Sequence, residues 1–217
     1  MKKKAMVEKM IFTKSGDTGM TRTWNGDIVS KTDQRIVTGG RIDHLNTQIG
    51  KITVLLESTK GARGRTPKNR LKREDIRFVD DELEQLQNYL MFTGAHISNP
   101  SLQVAGILKK GVEHFEDVMR EKIGKVVSPL EHFIYYGGGE LGSSLHESAS
   151  DCRIAEIEIV RLWEMSQGEQ SKGIDPALLV FSNRSSDFLY MLARYVNKKE
   201  HRKEKIWIPG NGKNKIG

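Results

Sequence analysis

Apolar residues recur at three- and four-residue steps through five separate segments of this chain, and glycine or proline marks the gaps between them. The first segment, about 41–57, carries Ile42, Leu45, Ile49, Ile52 and Leu56 on one face. The second, about 79–92, carries Leu83, Leu86, Tyr89 and Leu90. The third, about 102–123, runs from Val104, Ile107 and Leu108 to Val112, Phe115, Val118 and Met119. A fourth spans about 141–166 and stops near Gly168; a fifth spans 175–199, with Asp175 as N-cap and Pro176 at the first helical position. Residues 11–36 hold Gly16, Gly19, Gly26 and many Thr, Ser and Asp, which favour turns. No convincing series of strands and no internal repeat is present, so the expected fold is all-α, a five-helix bundle.

Charge divides the chain further. The net charge is +7, but segments 2–9, 60–73 and 198–217 together carry +15, which leaves the remaining 175 residues at −8. The predicted organisation is an N-terminal segment 1–36 of the same domain, a bundle over 37–199, and a basic, poorly ordered tail over 200–217. Segment 58–73, with Gly61, Gly64 and Pro67, reads as a mobile loop. Basicity confined to excursions is not the organised basic face of a nucleic-acid binder, so nucleic acid is not an expected partner. No apolar run reaches the roughly 18 residues of a membrane span, and the N-terminus lacks the apolar core of a secretory signal. The single cysteine, Cys152, excludes a disulfide framework and a cysteine-rich zinc site. A reducing cytoplasm is the expected setting.

Three stretches carry candidate chemistry. In Thr13-Lys14-Ser15-Gly16-Asp17-Thr18-Gly19-Met20-Thr21, two glycines let backbone N–H groups approach an anion, while hydroxyls and Lys14 add donors and charge. It lacks the Gly-Lys-Ser/Thr ending of a Walker A loop, and taken alone an ordinary Gly/Thr turn is the commoner explanation. On the fourth helix, Arg153 and Glu156 share a face, either to hold a polyphosphate or as a plain ion pair. His146 and Cys152 read as structural. Around Asn183-Arg184-Ser185-Ser186-Asp187, a polar cluster interrupts an apolar helix; it marks either a nucleoside contact at Asn183 or a network closing the bundle.

Taken in order, these stretches resemble the PduO-type ATP:cob(I)alamin adenosyltransferases. That family's Thr-Lys-Thr-Gly-Asp-x-Gly-x-Thr loop is matched by Thr13 to Thr21. Its Lys-Asp-Asp-x-Arg stretch is matched by Lys31-Thr32-Asp33-Gln34-Arg35, and Val-Asp-Glu-Leu-Asn by Ile42-Asp43-His44-Leu45-Asn46. Phe-Ile-Leu-Pro-Gly-Gly corresponds to Phe133-Ile134-Tyr135-Tyr136-Gly137-Gly138. Leu-His and Cys-Arg-Arg-Ala-Glu-Arg correspond to Leu145-His146 and Cys152 to Ile157. The closing motif, Asn-Arg-Leu-Ser-Asp-Phe-Leu-Phe-x-Leu-Ala-Arg-Tyr-x-Asn, is matched almost throughout by Asn183 to Asn197. The resemblance spans about 10–197.

It implies a five-helix bundle of the cobalamin adenosyltransferase type, forming a homotrimer with sites between subunits. The implied enzyme moves the 5′-deoxyadenosyl group of ATP to the cobalt of cob(I)alamin, gives adenosylcobalamin and releases triphosphate. ATP-binding residues by this resemblance are Thr13, Lys14, Ser15, Gly16, Asp17, Gly19, Thr21, Arg22, Lys31, Arg153, Glu156 and Asn183, with magnesium sharing the phosphate charge. No residue is assigned as a metal ligand. Asp43 and Phe133 would meet the corrinoid, and Asp43, Phe133 and Arg153 would carry catalysis, Phe133 by displacing the lower axial ligand. A cob(II)alamin reductase or an adenosylcobalamin-dependent enzyme is the implied protein partner.

Departures from the pattern fall at the site. The family's arginine one turn before Arg153 is Ala149; the later arginines of its Cys-Arg-Arg motif are Ile154 and Ile157. Gly39-Gly40 and Arg41 replace the residues flanking the acidic motif, and Glu140 stands where a small hydroxyl residue is usual. Each lost charge-assisted contact is worth about 1.5–3 kcal/mol. The alternative expectation is therefore a catalytically impaired relative that binds ATP or corrinoid as a sensor or carrier.

Overall fold

The computed structural model describes residues 14–61, 71–167 and 173–208. An antiparallel hairpin, β1 (Met20–Arg22) and β2 (Ile28–Ser30), pairs Met20 with Ser30 and Arg22 with Ile28. Five helices follow: α1 (Gln34–Gly61), α2 (Arg73–Ser98), α3 (Ala105–Val118), α4 (Glu140–Ser166) and α5 (Ala177–Lys199). α4 lies between α1 and α5, α2 packs on α1, and α3 packs on α5.

The all-α expectation holds apart from the hairpin, which the turn-rich composition of 11–36 concealed. Its strands are three residues each, too short for an alternating pattern to register. Gly26, at φ +94°, closes the turn with its N–H on Thr23 O, and Gly19, at φ +81°, accepts from Lys31 N–H at the other end.

α1 begins seven residues before the predicted start and runs through Gly39-Gly40. Asp33 caps it: Oδ1 accepts Arg35 N–H at 2.9 Å and the carbonyl accepts from Ile36 and Val37. Tertiary contact outweighs the roughly 1 kcal/mol that each helical glycine costs. Thr38 is buried with its hydroxyl on Glu158 O, and Gln34 Nε2 donates to Glu158 Oε2 at 2.7 Å.

The predicted third helix also divides differently. It is regular over Ala105–Val118 and ends in a π-helical turn, Met119–Ile123, where Gly124 N–H reaches back to Met119 O. The predicted start of the fifth holds in its chemistry: Asp175 Oδ1 accepts Ala177 N–H at 2.9 Å, with regular helix from the residue after Pro176.

Leu45, Ile49 and Leu56 of α1, Leu83 and Leu86 of α2, Leu145 and Ile159 of α4, and Phe188 and Leu192 of α5 form one core. Each contributes about 1.5–3 kcal/mol by burial. Phe115 stacks on Phe188 with centroids 4.3 Å apart, joining α3 to α5.

The polar cluster of α5 is largely structural. Ser182, Ser185 and Ser186 return their hydroxyls to carbonyls three or four residues earlier, and Arg184 bridges to Glu116 on α3 and Asp187. Only Asn183 of this group faces solvent.

Asp75 is a buried anchor between α2 and α5. Tyr195 Oη donates to its Oδ1 at 2.6 Å and Lys199 Nζ sits at 2.8 Å. Burial alone would raise this carboxyl, but the bonds from Lys199 and Tyr195 hold it below its ordinary value. A depressed carboxylate stabilises the fold above its unfolded pKa of about 4, and that stability is lost as pH falls through the folded value. Thermal melts should therefore fall more steeply below about pH 4 for the native chain than for Asp75→Asn; identical slopes would remove Asp75 from the acid response.

The expectation of a poorly ordered tail from residue 200 fails for 200–208. Tyr135 N–H donates to Lys205 O at 2.8 Å and Trp207 N–H to Phe133 O at 2.7 Å, so 205–207 runs antiparallel to 133–135. Arg194, fully buried on α5, clamps this ribbon: it grips Glu204 through Nε at 2.7 Å and Nη2 at 3.0 Å, and donates to Ser128 O. Segment 209–217 and most of the basic loop 58–73 lie outside the described residues.

Candidate active site

Two helices and the ribbon build one continuous strip. At one end, Asn197 of α5 ties down the glycine turn, accepting Gly139 N–H at 3.1 Å and donating to Gly137 O at 2.8 Å. Its amide occupies the space that side chains at Gly138 and Gly142 would need, and Gly138 has φ +116°. Asn197→Ala should cost about 2 kcal/mol by leaving these buried groups unpaired, read as a lowered denaturation midpoint. An unchanged midpoint would mean the turn is held elsewhere.

That turn presents Phe133, whose ring is 76% exposed, on the ribbon beside Trp207, edge to face at 6.1 Å. Next along the strip, Tyr136 stacks on His146 of α4 at 5.1 Å, and Tyr190 of α5 meets His146 at 5.3 Å. Burial pushes the Tyr190 hydroxyl up, opposed first by the Arg194 guanidinium and least by that of Arg153. Arg153 is exposed and joins no salt bridge among the described residues; Glu156, one turn on, accepts instead from Asn183 Nδ2 at 3.2 Å. The intrahelical ion pair that the spacing allowed is absent. The strip thus runs from Phe133 and Trp207 to Arg153, Glu156 and Asn183.

The glycine loop forms a second group. Asp17 N–H turns back to Lys14 O and Gly19 N–H to Gly16 O, both at 3.3 Å, and Lys14 has φ +60°. Lys31 lies over the loop: a side chain on Gly16 would come within 3.2 Å of Nζ. The structure therefore joins Lys14, Gly16, Gly19 and Lys31, with Ser15, Asp17 and Thr21 on the same short segment. Arg22 Nη1 donates to Gly26 O at 2.8 Å, closing the hairpin turn. Thr13 lies outside the described residues. Trp24 N–H donates to Ser98 Oγ at the end of α2, and Arg35 pairs with Asp33 and Asp27, so the hairpin is anchored towards α1 and α2.

Asp43 forms a third location. It is exposed on α1 and lines a cavity of about 500 Å³ with Trp24, Asn46 and Leu90. The next residue, His44, approaches Asp151 of α4 at 3.6 Å, linking the two helices near Ala149. Ala149 is itself buried against the core. The bond from Gln34 holds the Glu158 carboxyl below its ordinary value, with Arg161 and, least, Arg41 adding to it. Ile154 and Ile157, where the family pattern has arginines, are exposed. Cys152 is buried and burial pushes its thiol far up, which removes it as a nucleophile. Among the described residues no group of three or more His, Cys, Asp or Glu is arranged to hold a metal ion. No described helix is long and apolar enough to cross a membrane.

Reading from sequence missed Trp207 and the ribbon. The only local signal was the apolar run Ile206-Trp207-Ile208 inside a basic tail.

A family model for cobalamin adenosyltransferase matches residues 11–196. The chain belongs to this family. Corrinoid adenosyltransferase MMAB of Bos taurus is 32% identical over 209 residues, spanning 91% of this chain and 75% of that protein. The Mus musculus MMAB is 30% identical over 202 residues, spanning 91% and 76%. Among solved structures, a variant of the PduO-type ATP:corrinoid adenosyltransferase from Lactobacillus reuteri, complexed with cobalamin and ATP, superposes with a TM-score of 0.68. It is 26% identical, covering 92% of this chain and 97% of that one.

Proposed function

We propose that this chain is an ATP:corrinoid adenosyltransferase. The cobalt–carbon bond forms at C5′ of ATP as the C5′–oxygen bond breaks, and the electron pair leaves with triphosphate. The metal centre of the substrate is the nucleophile, so the protein's work is positioning and electrostatics. The strip carries this reading: it joins an exposed aromatic ring to a row of polar groups on α4 and α5.

Thr13, Lys14, Ser15, Gly16, Asp17, Gly19, Thr21, Arg22 and Lys31 hold the triphosphate, whose oxygens meet backbone N–H groups and two ammonium groups. Magnesium arrives with ATP as part of the substrate, and the Asp17 carboxylate and Ser15 hydroxyl suit an oxygen-seeking cation. Arg153 faces the developing charge on the leaving phosphate. Glu156 orients Asn183 towards the nucleoside. Phe133 covers the lower face of the corrin, and Asp43 meets its periphery.

The loop and Asp43 belong to the α1–α2 side, whereas Arg153, Glu156 and Asn183 belong to the α4–α5 groove. A homotrimer, in which one copy's loop closes the groove of the next, completes the site and is part of this proposal. So are a cytoplasmic setting, a cob(II)alamin reductase as supplier and an adenosylcobalamin-dependent enzyme as consumer.

The test is an anaerobic absorbance assay with cobalamin reduced chemically to cob(I), ATP, magnesium and protein. Decay of the cob(I) band with growth of a light-sensitive alkylcobalamin is the expected result. The exposed Ile154 and Ile157 favour a second reading, a catalytically impaired binder. Calorimetric binding of ATP or corrinoid without conversion would establish that reading and overturn the first.

A further inference from the structure

A cavity of about 620 Å³ beside the strip lies next to Phe133 and has no role in the transfer chemistry above. Its walls are the residues directly after Phe133, from Ile134 to Gly138, and the tail from Arg202 to Lys205, with His146 and Asn197 beneath. Its aromatic surface is Tyr136, stacked on His146. His146 is only 3% exposed, yet its Nδ1 has no hydrogen-bond partner. Burial lowers the imidazole's pKa, so it is held as the neutral ring, able to make one directed bond to a neutral group.

The cavity's charge is positive. Glu204 is engaged by Arg194, while Lys203 and Lys205 stand exposed along the rim with Arg202, which is 4.0 Å from Glu200. A planar surface, an unpartnered buried ring nitrogen and a cationic rim fit one ligand chemistry: a heteroaromatic base carrying a phosphodiester. The triphosphate of ATP is a poor match, because the Gly139 N–H of the glycine turn is already bonded to Asn197 Oδ1 and the Tyr135 N–H to Lys205 O.

This inference rests on the transferase reading. If Phe133 covers the lower face of the corrin, the benzimidazole bound there must leave the cobalt while still tethered to the ring by its ribose phosphate. Its ring nitrogen then needs a new partner within reach of Phe133. We propose that the cavity lined by Tyr136, His146 and the Arg202–Lys205 rim receives the displaced benzimidazole nucleotide arm of the corrinoid. Tyr136 stacks on the base, His146 Nδ1 meets its freed nitrogen, and the rim meets the phosphodiester.

The experiment compares cob(I)alamin with cob(I)inamide, which lacks the arm. Both are free of a lower ligand in this oxidation state, so the cost of removing the base cancels. The native protein should show a KM roughly ten-fold lower for cob(I)alamin, the size expected of one stacked base. Tyr136→Ala should bring the ratio near one without changing the KM for cob(I)inamide, Tyr136→Phe should preserve it, and Lys203→Glu should lower it. Equal KM values in the native protein, or an equal rise for both substrates in Tyr136→Ala, would overturn the proposal. A second measurement is independent of turnover: free benzimidazole ribotide should shift the His146 ring resonances in NMR spectra of the native protein and not in Tyr136→Ala. Unmoved resonances would overturn the proposal. Failure to adenosylate either corrinoid would instead sink the transferase reading, leaving the ribotide titration to decide this one.

Discussion

Replacing Arg153 with alanine should lower kcat/KM for ATP by roughly a hundred-fold while leaving stability within about 0.5 kcal/mol. The two halves of this expectation have separate causes. Arg153 is exposed, joins no salt bridge among the described residues and lies outside the core, so its loss removes little from the fold. In the proposed reaction its guanidinium meets the leaving triphosphate, and this chain has fewer such groups than its family pattern. Ala149 is buried, while Ile154 and Ile157 offer no charge, so no neighbouring arginine on α4 can substitute between positions 149 and 157. Arg153→Lys should recover only part of the activity, because an ammonium lacks the planar fork that binds phosphate oxygens in pairs. The measurement is the cob(I) assay at varied ATP, with a urea melt of each variant. Native-like turnover in Arg153→Ala would remove this residue from the site and shift the polyphosphate entirely onto the Lys14–Lys31 loop.

The bundle was legible in the sequence because helix formation and burial leave a local record. Ile42, Leu45, Ile49, Ile52 and Leu56 repeat at helical steps and are all buried. What the pattern could not carry was non-local. The first helix read as starting near 41, yet it begins at Gln34 and runs through Gly39-Gly40, because Thr38 and Gln34 find partners on α4, far along the chain. The tail read as a solvated basic run. Its fixed point is the Glu204–Arg194 pair, followed by two backbone bonds to the Phe133 segment, and neither leaves a periodic trace. The site divides in the same way. Glu156 and Asn183 belong to motifs that sequence order identified, and the structure adds that they touch each other. Trp207 belongs to no motif, and only the ribbon brings it to Phe133.

That ribbon makes the second large effect testable. Phe133→Ala should leave adenosylation of chemically supplied cob(I)alamin within a few-fold of native, but slow the reaction started from cob(II)alamin and a mild reductant by roughly ten- to a hundred-fold. The reasoning is about coordination. Cobalt that keeps a lower ligand is harder to reduce, and an apolar ring pressed against that face excludes both the ligand and water. Cob(I) has already lost its lower ligand, so the wedge has little left to do once the electron has arrived. The exposed Phe133 ring gains a rigid position from its neighbours: Trp207 holds its edge, and Phe133 O accepts Trp207 N–H. Trp207→Ala should therefore reproduce part of the Phe133→Ala defect, in the cob(II) reaction alone. Arg194→Ala, which releases Glu204 and the strand behind Trp207, should do the same from a distance. The spectroscopic signature separates positioning from simple unfolding. With ATP bound, the native protein should convert cob(II)alamin to a four-coordinate species, Phe133→Ala should not, and Trp207→Ala should give a mixture. A native-like four-coordinate signal in Phe133→Ala would transfer the wedge to another residue of the patch, with Tyr135 the nearest exposed ring along the strand. An equal loss in both the cob(I) and cob(II) reactions would mean that Phe133 holds the corrin in place and does not act on its lower ligand.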